Sequence, residues 1–194
     1  GGIFALSRGG LAACAWWQIV TYMFLHGGFM HLLMNMLLLF FFGPRLEYLW
    51  GSARFLVFYF ACGAIAGVAH VFFSGAPVIG ASGALYGILM VYLVLWPNEE
   101  MIFLVMFIIP VRLKMKWLIL IYFAWDIFNI LREIANPLSA SDPVAHVAHL
   151  GGAVGGFLFV KFIFPPNGRG IMARLGGLLP RRGSGRRAKL RVIQ

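Results

Sequence analysis

Long apolar runs alternate with short polar breaks along this chain, and the pattern predicts a bundle of membrane-spanning helices. The runs are continuous, whereas the strands of a membrane β-barrel alternate between apolar and polar positions. The expected spans are at about residues 26–42, 55–73, 82–96, 117–131 and 144–164. The first is expected to end at Gly43-Pro44, and the third is short for a full crossing. The apolar stretch 101–110 is too short to span, so we interpret it as a lateral or re-entrant piece.

Composition supports the same fold class. Hydrophobic residues make up 61% of the 194 residues, charged residues make up 11%, and the mean hydropathy is +0.88. A soluble domain of this size could not bury so much apolar side chain. We therefore predict an all-α polytopic membrane protein with one domain. Its two cysteines, Cys14 and Cys62, are too few for a disulfide framework, and Cys62 is expected to be a packed free thiol.

The distribution of positive charge orients the predicted bundle. Nine of the sixteen Lys and Arg residues lie from Lys161 onward, in a tail typical of a cytoplasmic segment that touches anionic lipid. Placing this tail inside leaves only Arg8 and Arg132 outside, as the positive-inside rule expects. Nucleic-acid binding by the tail is disfavoured because no aromatic residue is interleaved among its arginines.

These observations divide the chain into three parts. Residues 1–25 are predicted to be an outer interfacial segment, residues 26–164 the transmembrane core, and residues 165–194 a basic cytoplasmic tail. The start of the chain then lies outside after five spans, an odd number, so we expect a preceding first helix that this sequence lacks. The interfacial aromatic residues of the first part would be Trp16, Trp17 and Tyr22.

A candidate nucleophile lies in the stretch from Gly80 to Gly87, where Ser82 stands among small residues at the start of the third span. Helical phasing puts Tyr86 on the same face as Ser82, four residues on. Gly83 and Gly87 form a small-residue ridge suited to close contact with another membrane helix. The alternative is an ordinary serine that caps a helix N-terminus.

The last span carries a candidate base. His149, Gly152 and Gly156 share one helical face, and the glycines would let this helix approach the Ser82 helix and bring imidazole to hydroxyl. A neutral histidine beside a serine can activate it as a nucleophile. At the start of the first span, His31 and Asn35 could donate hydrogen bonds to developing negative charge.

All of these polar residues, and His26 with them, fall in the outer half of the predicted bundle. Polar groups within membrane segments are costly and usually face a bundle interior or a water-filled cavity. We therefore predict a water-accessible site that opens to the outer side, with Ser82 below the surface.

The remaining polar residues receive more ordinary interpretations. Asp126 lies mid-span and could be a third member of the site, but we interpret it as a structural hydrogen-bond partner, which leaves a Ser–His dyad. His146 is expected to be a loop or rim residue, and His70 to pack at the interface. Zinc is not expected, because the His-Glu-x-x-His pattern is absent and no carboxylate is evident near these histidines. Aspartyl chemistry would need a second carboxylate within the spans.

Several short motifs follow one another in a specific order along the chain. They are Trp17-Gln18, Phe24-Leu25-His26, His31-Leu32-Leu33-Met34-Asn35-Met36, Gly80-Ala81-Ser82-Gly83 and Ala148-His149-Leu150-Gly151-Gly152. Together they resemble the rhomboid family of intramembrane serine proteases. Glu47, followed by Gly51-Ser52, also matches a family pattern. The family's core has six transmembrane helices, and the helix that should precede Trp17 is missing from this sequence.

The resemblance implies hydrolysis of peptide bonds in or near transmembrane segments, without a cofactor or metal. It implies that Ser82 is the nucleophile and His149 the general base, and that His31 and Asn35 form the oxyanion hole with the Ser82 backbone amide. His26 would have a supporting role. The other residues expected to support the site are Tyr86, Gly80, Gly83, Gly152 and Gly156.

We therefore predict an intramembrane serine endopeptidase in a bacterial inner membrane, with transmembrane proteins and the lipid bilayer as its partners. The alternative is a non-catalytic rhomboid-like protein that binds client transmembrane helices. Such proteins usually lack the serine or the histidine, and this chain has both. A small-solute transporter is disfavoured because no internal repeat is visible and the polar residues cluster on one side.

Overall fold

The computed structural model describes residues 2–105, 109–136 and 145–164, and the predicted tail 165–194 lies outside them. The described chain is mainly helical. Its helices are α1 (Arg8–Ala12), α2 (Gln18–Thr21), α3 (Phe29–Trp50), α4 (Ser52–Phe73), α5 (Ser82–Leu95), α6 (Met115–Ala135) and α7 (His146–Leu158). A 3₁₀ turn, Tyr22–Phe24, follows α2, and a π-helical turn, Phe159–Ile163, extends α7.

Within these described ranges, three helices are long and apolar enough to cross a membrane: α3, α4 and the continuous helix His146–Ile163. The apolar helix α5 is shorter, with 14 residues, in agreement with the short third span expected from the sequence. The protein is thus an all-α polytopic membrane protein, and a small hairpin is the exception among the residues that the structure describes. The count of five spans stays a prediction.

Helix α3 does not end where the sequence suggested. It continues through Pro44 and ends at Trp50, so the predicted end at Gly43-Pro44 is wrong. Gly51, with φ +81°, stops the helix, and its N–H donates to the carbonyl of Glu47. Beyond the proline, Arg45 pairs with Glu99 and stacks over the Trp96 ring, and these contacts hold the extended end of α3 against the end of α5.

The stretch 101–110 contributes to a β-hairpin, in place of the lateral or re-entrant piece that we expected. Strand β1 (Glu100–Val105) pairs antiparallel with β2 (Ile109–Lys114), with Glu100 opposite Lys114. The edges of a two-stranded ribbon carry unpaired backbone groups, which the hydrocarbon core cannot satisfy. The hairpin therefore belongs outside that core, at the end of α5 remote from Ser82.

Helix α5 is the centre of the bundle, and nearly every residue from Gly83 to Tyr92 is buried. Helices α4 and α7 pack on it most extensively. A Cβ atom on Gly152 would overlap the carbonyl of Gly83, and one on Gly156 would overlap the carbonyl of Gly87. The two backbones are therefore in direct contact, and the predicted close approach of these helices through their glycines is confirmed.

The segment before α3 folds onto the end of the bundle that carries Ser82. Leu6 and Val78 exchange two backbone hydrogen bonds, and the Arg8 guanidinium donates to the carbonyl of Val71 at the end of α4. Trp16 and Trp17 are exposed, as interfacial residues would be, but Tyr22 is fully buried. The expectation for Tyr22 is wrong because its hydroxyl donates to the carbonyl of Gly63 inside the bundle.

Candidate active site

Ser82 is the first residue of α5, and the backbone turn at Gly80 comes two residues before it. Gly80 has φ +113°, a conformation that side chains rarely adopt. A Cβ atom there would lie 2.8 Å from Nε2 of His31 and 3.9 Å from Oγ of Ser82. The imidazole of His31 and the hydroxyl of Ser82 therefore face the same small space beside Gly80.

The Ser82 hydroxyl contacts the imidazole of His149. Oγ of Ser82 and Nε2 of His149 are 2.9 Å apart, a hydrogen-bond distance that joins the start of α5 to α7. The interpretation of Ser82 as a helix cap is wrong, because Ala81 occupies the N-cap position and no side chain caps the helix. The Tyr86 ring stacks on His149, with ring centroids 4.2 Å apart and planes 10° apart. The structure thus brings together the serine, the histidine and the aromatic residue that the sequence singled out.

Asp126 completes a line of hydrogen bonds that we did not anticipate. Its Oδ1 lies 3.1 Å from Nδ1 of His149, on the side of the imidazole opposite Ser82. Asp126 is only 1% exposed, so this is a buried contact between α6 and α7. The expectation that no carboxylate lies near His149 is wrong. Asp126 is a hydrogen-bond partner, as predicted, but its partner is the candidate base itself.

His146 is likewise part of this cluster, and its assignment to a loop or rim is wrong. It is the first residue of α7 and is 2% exposed. Its Nδ1 lies 2.5 Å from the same Oδ1 of Asp126 that faces His149. His146 and His149 are three residues apart, so helical geometry turns both rings toward α6. His70, at the end of α4, is buried instead against the carbonyl of Ala76.

A signal for this cluster was present in the sequence. Asp126 is an ionisable residue inside an apolar helix, and no cationic or histidine side chain stands within four residues of it. A buried carboxylate without a partner on its own helix must find one on a neighbouring helix. The span with two histidines three residues apart was the best source of such a partner.

In the part of the chain that the structure describes, the same cluster is the group that could hold a metal ion. One ligand atom from each of Asp126, His146 and His149 lies within 4.8 Å of the others. Zinc was not expected partly because no carboxylate was evident near the histidines, and the position of Asp126 shows that this expectation is wrong. Ligands on one zinc ion stand roughly 3.3 Å apart, however, and the 2.5 Å between His146 and Asp126 is a direct hydrogen bond. The arrangement described here is therefore a hydrogen-bonded one, and the absence of a metal stays a prediction.

The two predicted oxyanion donors lie at the start of α3. Nδ1 of His31 accepts a hydrogen bond from the N–H of Gly27 at 3.3 Å. A neutral His31 ring then carries its hydrogen on Nε2, the atom beside Gly80. Asn35 is buried one turn further on, where its side-chain amide donates to the backbone carbonyl of His31 at 3.0 Å.

His26 stands behind His31. Their rings meet edge to face, with centroids 5.1 Å apart, and Nε2 of His26 is buried without a hydrogen-bond partner among the described residues. A cavity of about 360 Å³ opens next to His26 and Ala81, between α3 and α4. Most of its lining is apolar, including Met36 and Phe60. His26 therefore lines this apolar cavity and also packs against His31.

The fold and the site define the class of this protein. It is a polytopic helical membrane protein in which a serine and a histidine are in contact at one end of the bundle. Residues 13–166 match the Rhomboid domain, so the chain belongs to the rhomboid family, a family of intramembrane proteases.

Among curated proteins, the chain is 42% identical over 96 residues to YdcA of Bacillus subtilis (strain 168), covering 46% of this chain and 47% of YdcA. It is 30% identical over 167 residues to the rhomboid protease GluP of the same strain, covering 85% of this chain and 29% of GluP. It is 31% identical over 160 residues to RHOMBOID-like protein 7 of Arabidopsis thaliana, covering 77% of this chain and 44% of that protein. The chain thus spans less than half the length of each of these relatives.

Proposed function

We propose that this chain is an intramembrane serine endopeptidase, in which Ser82 and His149 cleave peptide bonds of transmembrane substrates near the outer face of the membrane. The observation that carries the proposal is the 2.9 Å contact between Oγ of Ser82 and Nε2 of His149, within a chain of the rhomboid family. Nucleophile and base at hydrogen-bond distance are the signature of an activated serine.

The reaction begins when His149 takes the hydroxyl proton of Ser82 and the serine oxygen attacks the substrate carbonyl carbon. The carbonyl oxygen becomes negatively charged. The Nε2–H of His31 beside Gly80, the amide of Asn35 and the backbone N–H of Ser82 stabilise that charge. The first N–H groups of α5 have no acceptor within the helix, so they and the helix dipole add to this stabilisation.

His149 then protonates the leaving amine and an acyl-enzyme remains on Ser82. A water molecule, deprotonated by His149, hydrolyses this ester and restores the serine. The reaction therefore needs water at the outer end of α5. A substrate helix has to unwind locally to expose its peptide bond, so small and helix-destabilising residues near the cleaved bond favour cleavage.

The proposed setting is a bacterial inner membrane, with the basic tail in the cytoplasm and Ser82 toward the outer side. The charge distribution of the sequence supports this orientation, because it leaves few basic residues outside. The substrates are transmembrane proteins, and no cofactor or metal takes part.

Cleavage of a labelled model transmembrane segment in proteoliposomes tests the proposal. The full chain should release product, whereas Ser82→Ala and His149→Ala should not, with unchanged thermal unfolding. A matched control is Ser74→Ala, which changes a serine at the end of α4 whose hydroxyl accepts from the Ala76 amide. A fluorophosphonate probe should label the wild-type chain and Ser74→Ala but not Ser82→Ala.

Two outcomes would contradict the proposal in different ways. Cleavage by Ser82→Ala at the wild-type rate would mean that another residue is the nucleophile. A folded wild-type chain that binds the transmembrane segment without cleaving it would favour the non-catalytic client-binding function.

A further inference from the structure

We infer that Asp126 and His146 are positioning residues for His149, so that three side chains in series, and not His149 alone, activate Ser82. The inference rests on the proposed function and deepens it. It is carried by one arrangement: Oδ1 of Asp126 lies 3.1 Å from Nδ1 of His149 and 2.5 Å from Nδ1 of His146. Helices α6 and α7 supply these groups, and α5 supplies the serine.

The first step of the argument concerns where the hydrogen of His149 lies. An ionised carboxylate can accept hydrogen bonds but cannot donate them. Nδ1 of His149 therefore carries the hydrogen when it faces Asp126. In a neutral imidazole the other nitrogen then holds the lone pair, and that nitrogen is Nε2, 2.9 Å from Oγ of Ser82. Asp126 thus selects the tautomer of His149 that can accept the serine proton.

The second step concerns the charge that develops during the reaction. When His149 takes the proton of Ser82, it becomes an imidazolium whose Nδ1–H points at Asp126. Both groups are buried, with Asp126 1% and His149 8% exposed. An opposite charge at this distance, away from water, stabilises the imidazolium more than solvent-screened charges would.

The third step concerns what holds Asp126 in place. His146 donates to the same Oδ1 from one turn earlier on α7, and its ring stands edge to face with that of His149, with centroids 6.1 Å apart. The Tyr86 ring covers one face of the His149 ring. Asp126 therefore fixes one edge of the imidazole and Tyr86 fixes its plane, while His146 holds Asp126 and also packs edge to face on His149.

Substitution of Asp126 tests whether this residue positions His149 or only packs against it. Asp126→Asn keeps the shape of the side chain but removes its charge, and it lets an amide N–H face Nδ1 of His149. We expect kcat to fall by about 100-fold or more, since the equivalent change in another serine protease costs about 10⁴-fold. KM for the model transmembrane segment should stay within about twofold, because Asp126 is not placed to touch substrate.

His146 offers a rescue test. His146→Asn keeps an N–H donor near the former Nδ1, whereas His146→Leu removes the donor and keeps a bulky side chain. We expect His146→Leu to lower kcat by about tenfold and His146→Asn to restore most of it. The matched control is Asn129→Leu, a buried polar residue of α6 whose amide donates to the Trp125 carbonyl, and it should leave kcat unchanged.

The outcomes distinguish this inference from the proposed function. If Ser82→Ala is inactive but Asp126→Asn keeps the wild-type kcat, the protease assignment stands and the positioning role is wrong. A loss of thermal stability in Asp126→Asn at unchanged kcat has the same meaning. Loss of wild-type activity in EDTA, restored by added Zn²⁺, would assign Asp126, His146 and His149 to a metal site and overturn the inference. An inactive wild-type chain would overturn both proposals.

Discussion

The Tyr86 ring lies nearly parallel to the His149 imidazole, 4.2 Å from it and with 10° between the planes. Tyr86 follows Ser82 by about one helical turn, so the residue that stacks on the candidate base and the candidate nucleophile come from the same face of α5. The Tyr86 ring also stacks with Phe123 of α6, with centroids 5.6 Å apart and planes 22° apart. Three rings from three helices therefore form one stack beside the Ser82 hydroxyl.

We predict that this stack restrains His149. Tyr86→Phe keeps the aromatic surface but removes the hydroxyl that interacts with Asp126, so its kcat should lie between those of wild type and Tyr86→Ala. Tyr86→Ala removes the ring, frees the imidazole to rotate, and should lower kcat by about tenfold or more, since a small misplacement of a catalytic group is costly. Steady-state cleavage of the model segment measures both variants. Equal rates for Tyr86→Ala and wild type would refute the restraint.

The contact between Gly152 and the Gly83 carbonyl predicts a strong requirement for glycine. Gly152→Ala introduces a methyl group where backbone already lies, so α7 must move away from α5. We expect a loss of about 1–3 kcal/mol in stability together with loss of cleavage, because His149 moves with α7. Gly75→Ala is the control, since nothing lies within 4 Å of a Cβ atom there. Thermal unfolding in detergent compares the two.

Substitution of Gly80 should lower both the stability and the kcat of the protein, for two separate reasons. Gly80→Ala forces a side chain into a conformation with φ +113° and against the His31 ring. Such backbone strain costs about 1–3 kcal/mol, and displacing His31 removes an oxyanion donor, which costs about 100-fold in kcat or more. Measurement of kcat at a temperature where the variant is fully folded separates the two effects. A folded Gly80→Ala with the wild-type kcat would contradict the oxyanion role of His31.

Tyr22 leads to a prediction about alkaline pH. Burial raises the pKa of the Tyr22 phenol well above its ordinary value of 10, so the hydroxyl stays protonated in the fold and donates to the Gly63 carbonyl. The unfolded chain releases this proton first as the pH rises past about 10, so the contribution of Tyr22 to stability is full below that pH and declines above it.

The matching variant is Tyr22→Phe. It should lower stability near neutral pH by about 1–3 kcal/mol, because the buried Gly63 carbonyl loses its donor. It should also reduce the decline in stability above pH 10. Thermal unfolding of wild type and Tyr22→Phe at pH 7 and pH 11 measures the stability lost on substitution and the stability lost at alkaline pH. If both proteins lose the same stability between pH 7 and pH 11, ionisation of Tyr22 does not cause that loss.

The sequence by itself determined the membrane class, the pairing of Ser82 with His149 and the close approach of α5 and α7. These follow from local regularities, because helical periodicity alone puts Tyr86 with Ser82, and Gly152 and Gly156 with His149. Motifs of this kind are readable when the residues that must cooperate lie within a few turns of one another, or when small residues mark where two helices meet.

The tertiary structure alone decided the partners of Asp126 and the course of the chain on the other side of the bundle. The sequence indicated that the Asp126 carboxylate needs a partner on a neighbouring helix, and the packing of α6 beside α7 decided that this partner is His146 and His149. Helix α3 continues through Pro44, and beyond it Leu46 and Trp50 are buried in the core while Arg45 binds Trp96 and Glu99. Helix propensity measures a local preference, and at Pro44 the free energy of contacts with distant segments outweighs it.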